Sequence, residues 1–103
     1  MIADGYTEDF VEIYREFLAE VPLVLEEISQ AIVSTDATLV ARKAHQLKGA
    51  SANFGFLEVS ALAATLEQEG KAGSLSDAPR LLSDLNSALE ASVTYVAAEK
   101  GMR

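Results

Sequence analysis

The chain contains one histidine, His45, and its neighbours narrow what that imidazole could do. Advancing each residue by about 100° around a helix over positions 37–54 sets Leu39, Val40, Ala44, Leu47, Ala50 and Phe54 on one broad apolar face. His45 falls nearly opposite the centre of that face and is expected to meet solvent. Ala41 and Gly49 stand four residues to either side of it, Arg42 and Lys48 three residues away, and Ala52 one turn further on. Small side chains therefore flank the ring and cations rim it. A neutral, outward-facing imidazole is a nucleophile that a partner's active site can reach in line, and a phosphoryl group is an electrophile suited to it. Lys48 adds a mobile point charge of the kind that pairs with phosphate oxygens. Gly49 costs about 1 kcal/mol relative to Ala inside a helix, and close approach of a partner is a compensating reason for it.

Each residue also has a plainer reading. Taken alone, Lys48 is an ordinary solvated lysine and Gly49 a tolerated helix defect. Arg42 serves either an acidic partner surface or solvent, and Lys43, projected toward the apolar side, reads as a snorkelling edge residue. Ser51 lies near the buried face, where it packs or bonds its own helix rather than touching phosphate. Phe10, Tyr14, Phe17 and Phe54 are most simply core, with any exposed member near His45 available for docking. A carboxylate di-metal site built on Glu26, Glu27, Glu67 and Glu69 is rejected, because the helical pattern needs Glu-x-x-His pairs and no Glu precedes His45 by three.

The elements that must hold His45 in place are helical. Phe10, Tyr14, Phe17, Val21, Val24, Ile28 and Ala31 recur in steps of four and three and line one helix face, widened by Ile13, Leu18, Leu25 and Ile32. Pro22 interrupts this run, which predicts either two helices or one kinked helix. Asp36 is the expected N-cap of the His45 helix, and Gly55 its left-handed terminator. Val59, Leu62, Ala63 and Leu66 mark the next helix, stopped by the turn-like stretch Gly70-Lys71-Ala72-Gly73. Ser76-Asp77-Ala78-Pro79 opens a last helix with the stripe Leu81, Leu82, Leu85, Leu89, Val93 and Val96. No alternating strand pattern of useful length occurs. The expectation is all-α: an antiparallel four-helix bundle with an additional or kinked N-terminal helix, in one domain over residues 1–103.

Composition sets the outer limits. The 103 residues hold 8 Lys plus Arg against 16 Asp plus Glu, a formal net charge of −8, which disfavours nucleic acid and anionic membrane. The absence of cysteine excludes disulfides and thiol chemistry and suits a reducing compartment. No signal-peptide pattern or membrane span is evident, so a cytoplasmic monomer is expected. There is no Gly-rich phosphate loop to bind nucleotide.

The stretch Ala44-His45-Gln46-Leu47-Lys48-Gly49-Ala50-Ser51-Ala52-Asn53-Phe54-Gly55 resembles the signature of histidine phosphotransfer (HPt) domains, H-x-L-K-G-x-S followed by a helix-ending Gly. The likeness spans essentially the whole chain: a Phe-rich first helix, a Pro before the second, the Gly-terminated His helix, and a following helix ending in Leu66-Glu67. It implies a phosphocarrier without kinase activity of its own, in which His45 accepts a phosphoryl group on Nε2 and passes it between receiver-domain aspartates. Lys48 and Gly49 would assist, and Glu67 would hydrogen-bond the imidazole at Nδ1–H and so fix the tautomer. The implied partners are receiver domains and a hybrid sensor histidine kinase, with Mg²⁺ on the receiver only and no cofactor on this chain. Two alternatives stay open: the phosphoacceptor domain of a chemotaxis-type histidine kinase, and a docking-only bundle that binds a receiver without transfer.

Overall fold

The computed structural model describes residues 8–100, with side chains placed over 10–98. Four helices follow one another: α1 over Glu8–Val33, α2 over Ala37–Asn53, α3 over Leu57–Ala72 and α4 over Ala78–Lys100. None is long and apolar enough to cross a membrane. The stripe read from α1 is the one that turns inward, with Tyr14, Phe17, Val21, Val24, Ile28 and Ala31 all buried. These side chains meet Val40, Ala44 and Leu47 of α2, Val59, Ala63 and Leu66 of α3, and Leu81, Leu85 and Ala88 of α4 in one core.

Pro22 does not divide α1, so no additional helix arises. A proline inside a helix removes one hydrogen bond and crowds the carbonyl four residues earlier, at a cost of about 3 kcal/mol. Burial of each large apolar side chain contributes about 1.5–3 kcal/mol. Val21 and Val24 flank the proline and both enter the same core, while Pro22 itself is exposed, so packing on both sides holds one helix together.

The helix ends follow local chemistry. Asp36 caps α2, its carboxylate accepting from the Leu39 amide at 3.1 Å. After α2 and α3 the chain turns through Gly55 (φ 73°) and Gly73 (φ 76°), with reversed amide-to-carbonyl bonds from Phe56 to Ser51 and from Ser74 to Glu69. Past α1 the same closure forms on Thr35, at φ 54°, with the Asp36 amide bonding the Ala31 carbonyl.

Gly70 departs from the expected turn. It lies inside α3, buried, and α3 runs on past Leu66-Glu67 to Ala72. A Cβ at position 70 would sit 2.7 Å from both the Ala37 carbonyl oxygen and the Ala41 amide nitrogen, and 2.8 Å from the Ala41 Cβ. The missing side chain thus lets α3 lie directly on the backbone of α2, and Ala41, projected outward from the sequence, is half-buried beneath it. Gly70→Ala is expected to lower unfolding stability by about 1–3 kcal/mol, because backbone atoms must move apart to admit the methyl group. Urea denaturation measures this, and an unchanged midpoint would contradict the close crossing.

Candidate functional site

Burial of Val40, Ala44, Leu47 and Ser51 turns the opposite side of α2 to solvent and carries His45 with it. Its side chain is 67 % exposed. Glu67 sits beside the fully buried Leu66 on α3 and is drawn inward with it, to 3 % exposure. Antiparallel packing of the two helices then brings together residues 19 and 22 apart in sequence. His45 Nδ1 and Glu67 Oε2 are 3.0 Å apart, and Lys48 Nζ donates to Glu67 Oε1 at 2.8 Å. Ser60 locks the same crossing one step along, its hydroxyl donating to the Lys48 carbonyl at 3.1 Å.

A buried carboxylate is costly unless paired, and Glu67 is paired on both oxygens. Lys71, one turn further along α3, brings Nζ to 3.3 Å from Oε2, the oxygen that also faces the imidazole. The charge-assisted bond from Lys48 is the largest influence holding the Glu67 pKa down, from 4.5 to about 2; the bonds from Lys71 and His45 act in the same direction, against burial. Glu67 is therefore ionised at neutral pH and can only accept. The proton between it and His45 must belong to the imidazole Nδ1, which leaves the Nε2 lone pair free in the neutral ring.

The remaining residues singled out above divide sharply. Gly49 is exposed one turn from His45, and a Cβ built there meets nothing within 4 Å. No internal packing demands glycine at this position. Gly49→Ala is expected to raise stability by up to about 1 kcal/mol through helix propensity, read as a higher unfolding midpoint. Arg42 is exposed, whereas Lys43 is partly buried and pairs with Glu27 at 3.1 Å. Ser51 is wholly buried and faces away from the site. Phe10, Tyr14, Phe17 and Phe54 form a mutual ring cluster with Phe56, a core aromatic that periodicity missed; Phe17 and Phe54 approach to 4.9 Å between centroids. Lys71 was also missed, although its spacing of four after Glu67 is a standard helix-pair signal. Ser60 had none.

An exposed imidazole oriented by a buried anion, with an ammonium beside it and a bare backbone one turn away, suits a nucleophile that meets its electrophile on another molecule. Comparison with protein families matches residues 12–98 to the Hpt domain. The chain belongs to the Hpt domain family. Membership implies histidine phosphotransfer within a phosphorelay, a phosphocarrier role, and interaction with receiver domains. Comparison with curated proteins and with solved structures returns no match. The matched range takes in His45, Lys48, Gly49, Glu67 and Lys71.

Proposed function

We propose that this Hpt domain relays a phosphoryl group between receiver-domain aspartates through a phosphohistidine at His45, without kinase activity of its own. The observation that carries this reading is the 3.0 Å contact of His45 Nδ1 with the ionised Glu67, which leaves Nε2 free on a largely exposed ring. In the forward step the Nε2 lone pair attacks phosphorus, the Nε2–P bond forms, and the aspartyl O–P bond breaks. The donor carboxylate leaves with the bonding pair. No proton has to move, because Nδ1 keeps its hydrogen throughout. The ring gains positive charge as its lone pair is used, and Glu67, already an anion at Nδ1–H, stabilises that charge as it develops.

On this reading Lys48 follows the phosphoryl group. It lies three residues from His45 on the same helix, is only 35 % exposed, and holds its ammonium on a flexible four-carbon stem. Gly49 leaves room for the partner's backbone or side chains next to the ring. Mg²⁺ belongs to the receiver, where it supplies charge neutralisation of the transferring group. The second transfer is the reverse of the first, onto another receiver's aspartate. The donor on this reading is the receiver of a hybrid sensor histidine kinase.

A pulse-chase tests the relay. Labelled phosphoryl supplied on one receiver is expected to appear on this chain as an acid-labile species and then to leave for a second receiver. Label accepted from a chemotaxis-type ATP-binding kinase domain and not from any receiver would replace the relay with the kinase phosphoacceptor reading. Binding of receivers with no label gained, against an Hpt control that is labelled by the same panel, would reduce the chain to a docking bundle.

A further inference from the structure

The carboxylate of Glu67 receives two ammonium groups on different oxygens, and they are not equivalent. Oε1 is bonded by Lys48 at 2.8 Å, while Oε2 is bonded by Lys71 at 3.3 Å together with His45 at 3.0 Å. Lys48 belongs to the helix of His45, and Lys71 to the helix of Glu67 itself. When a phosphoryl group arrives on Nε2 it brings about two negative charges within reach of Lys48, which then has two anions to choose between. A buried carboxylate abandoned by its only cation would hold Lys48 back, or would turn away from the ring.

We propose that Lys71 is a positioning residue for the transfer: it keeps Glu67 compensated and aimed at His45 Nδ1, and so releases Lys48 to the phosphoryl group. This rests on the phosphocarrier reading above. Three observations combine in it. Glu67 is buried to 3 % exposure and needs a cation in every state of the cycle. Lys71 is tethered at the i+4 position, so it can stay with Glu67 whatever α2 does. Its bond is to the oxygen that faces the imidazole, so it restrains the contact that sets the tautomer and leaves the Lys48 oxygen to be vacated.

The test uses phosphoramidate as donor, since a small molecule removes receiver docking from the measurement. The Nε2–P bond forms as the P–N bond of the N-protonated donor breaks, with ammonia leaving on the bonding pair. Phosphohistidine formation is followed by ³¹P NMR for the wild type, Lys71→Gln, Lys71→Arg, Lys48→Gln and the Lys48→Gln/Lys71→Gln pair. Lys71 is 61 % exposed, so its variants should keep the wild-type fold, checked by unfolding midpoint. Lys71→Gln is expected to slow phosphorylation about tenfold, and Lys71→Arg to restore it to within about twofold. Because Lys71 acts by freeing Lys48, its removal should add little in the Lys48→Gln background. Equal rates in Lys71→Gln and wild type overturn the proposal, and so does a tenfold loss that persists undiminished without Lys48. A wild type that takes no phosphoryl from phosphoramidate or from receivers overturns the phosphocarrier reading itself.

Discussion

His45→Gln is expected to abolish phosphoryl acceptance completely while leaving the unfolding free energy within about 0.5 kcal/mol of wild type. The loss should be absolute because the chain has one histidine, so no other side chain can form the acid-labile phosphorus–nitrogen bond through an imidazole. Stability should survive for two reasons. The ring is largely solvent-exposed, so little apolar surface is lost. The Gln amide can also still donate to Glu67 across the short gap that His45 Nδ1 now spans. Transfer from phosphorylated receivers, quenched in acid and in base, measures the first effect, and urea denaturation the second. Acid-labile label on the variant would remove His45 as the carrier.

The second large effect is expected at Glu67. In Glu67→Ala the Nδ1–H loses its acceptor, the two imidazole tautomers are no longer biased, and Lys48 and Lys71 are left without their shared anion. Removal of the carboxylate that orients a metal-bound histidine lowers affinity or activity about 10–100-fold, and by the same orienting logic a loss of about that size in phosphoryl transfer is expected here. Glu67→Gln separates orientation from charge, since its carbonyl oxygen can accept from Nδ1–H without compensating either lysine, and it should fall between the two. Long-range ¹H–¹⁵N correlation of the imidazole reads the tautomer directly. An Nδ1–H tautomer as populated in Glu67→Ala as in wild type would contradict the assigned role.

The same carboxylate predicts a pH signature. Its pKa is depressed on folding, from 4.5 to about 2, so the stability it contributes is present above about pH 4.5 and is lost as pH falls through about 2. Glu67→Gln removes that dependence. Between pH 4.5 and 2 the wild type should therefore lose stability more steeply than the variant, and superimposable curves over that window would argue against the paired environment of Glu67.

Local chemistry made much of this molecule legible in advance. The outward position of His45 follows from a periodicity of one helix, in which Val40, Ala44 and Leu47 claim the opposite face. The Asp36 cap and the left-handed turn at Gly55 depend on residues within one helical turn of each other and formed where local chemistry placed them, while in the stretch 70–73 only Gly73 turns the chain. Pro22 was different. Its outcome weighed one lost hydrogen bond against burial of Val21 and Val24 on a core assembled from all four helices, a balance that no local reading of α1 contains.

The candidate site divides along the same line. Sequence alone placed His45 outward with Lys48 and Gly49 beside it, because all three ride on one helix whose geometry is set by a repeat of 3.6 residues. Tertiary structure decided how far α3 slides along α2, and with it everything that crosses between them. Gly70 lets the backbones touch at Ala37 and Ala41, and Ser60 bonds the Lys48 carbonyl. Between those two contacts Glu67 meets His45 and Lys48, with Lys71 closing on the other side. A slide of one residue along α3 turns it by about 100° and would carry Glu67 off the imidazole, and the register is settled only by packing of side chains from separate helices.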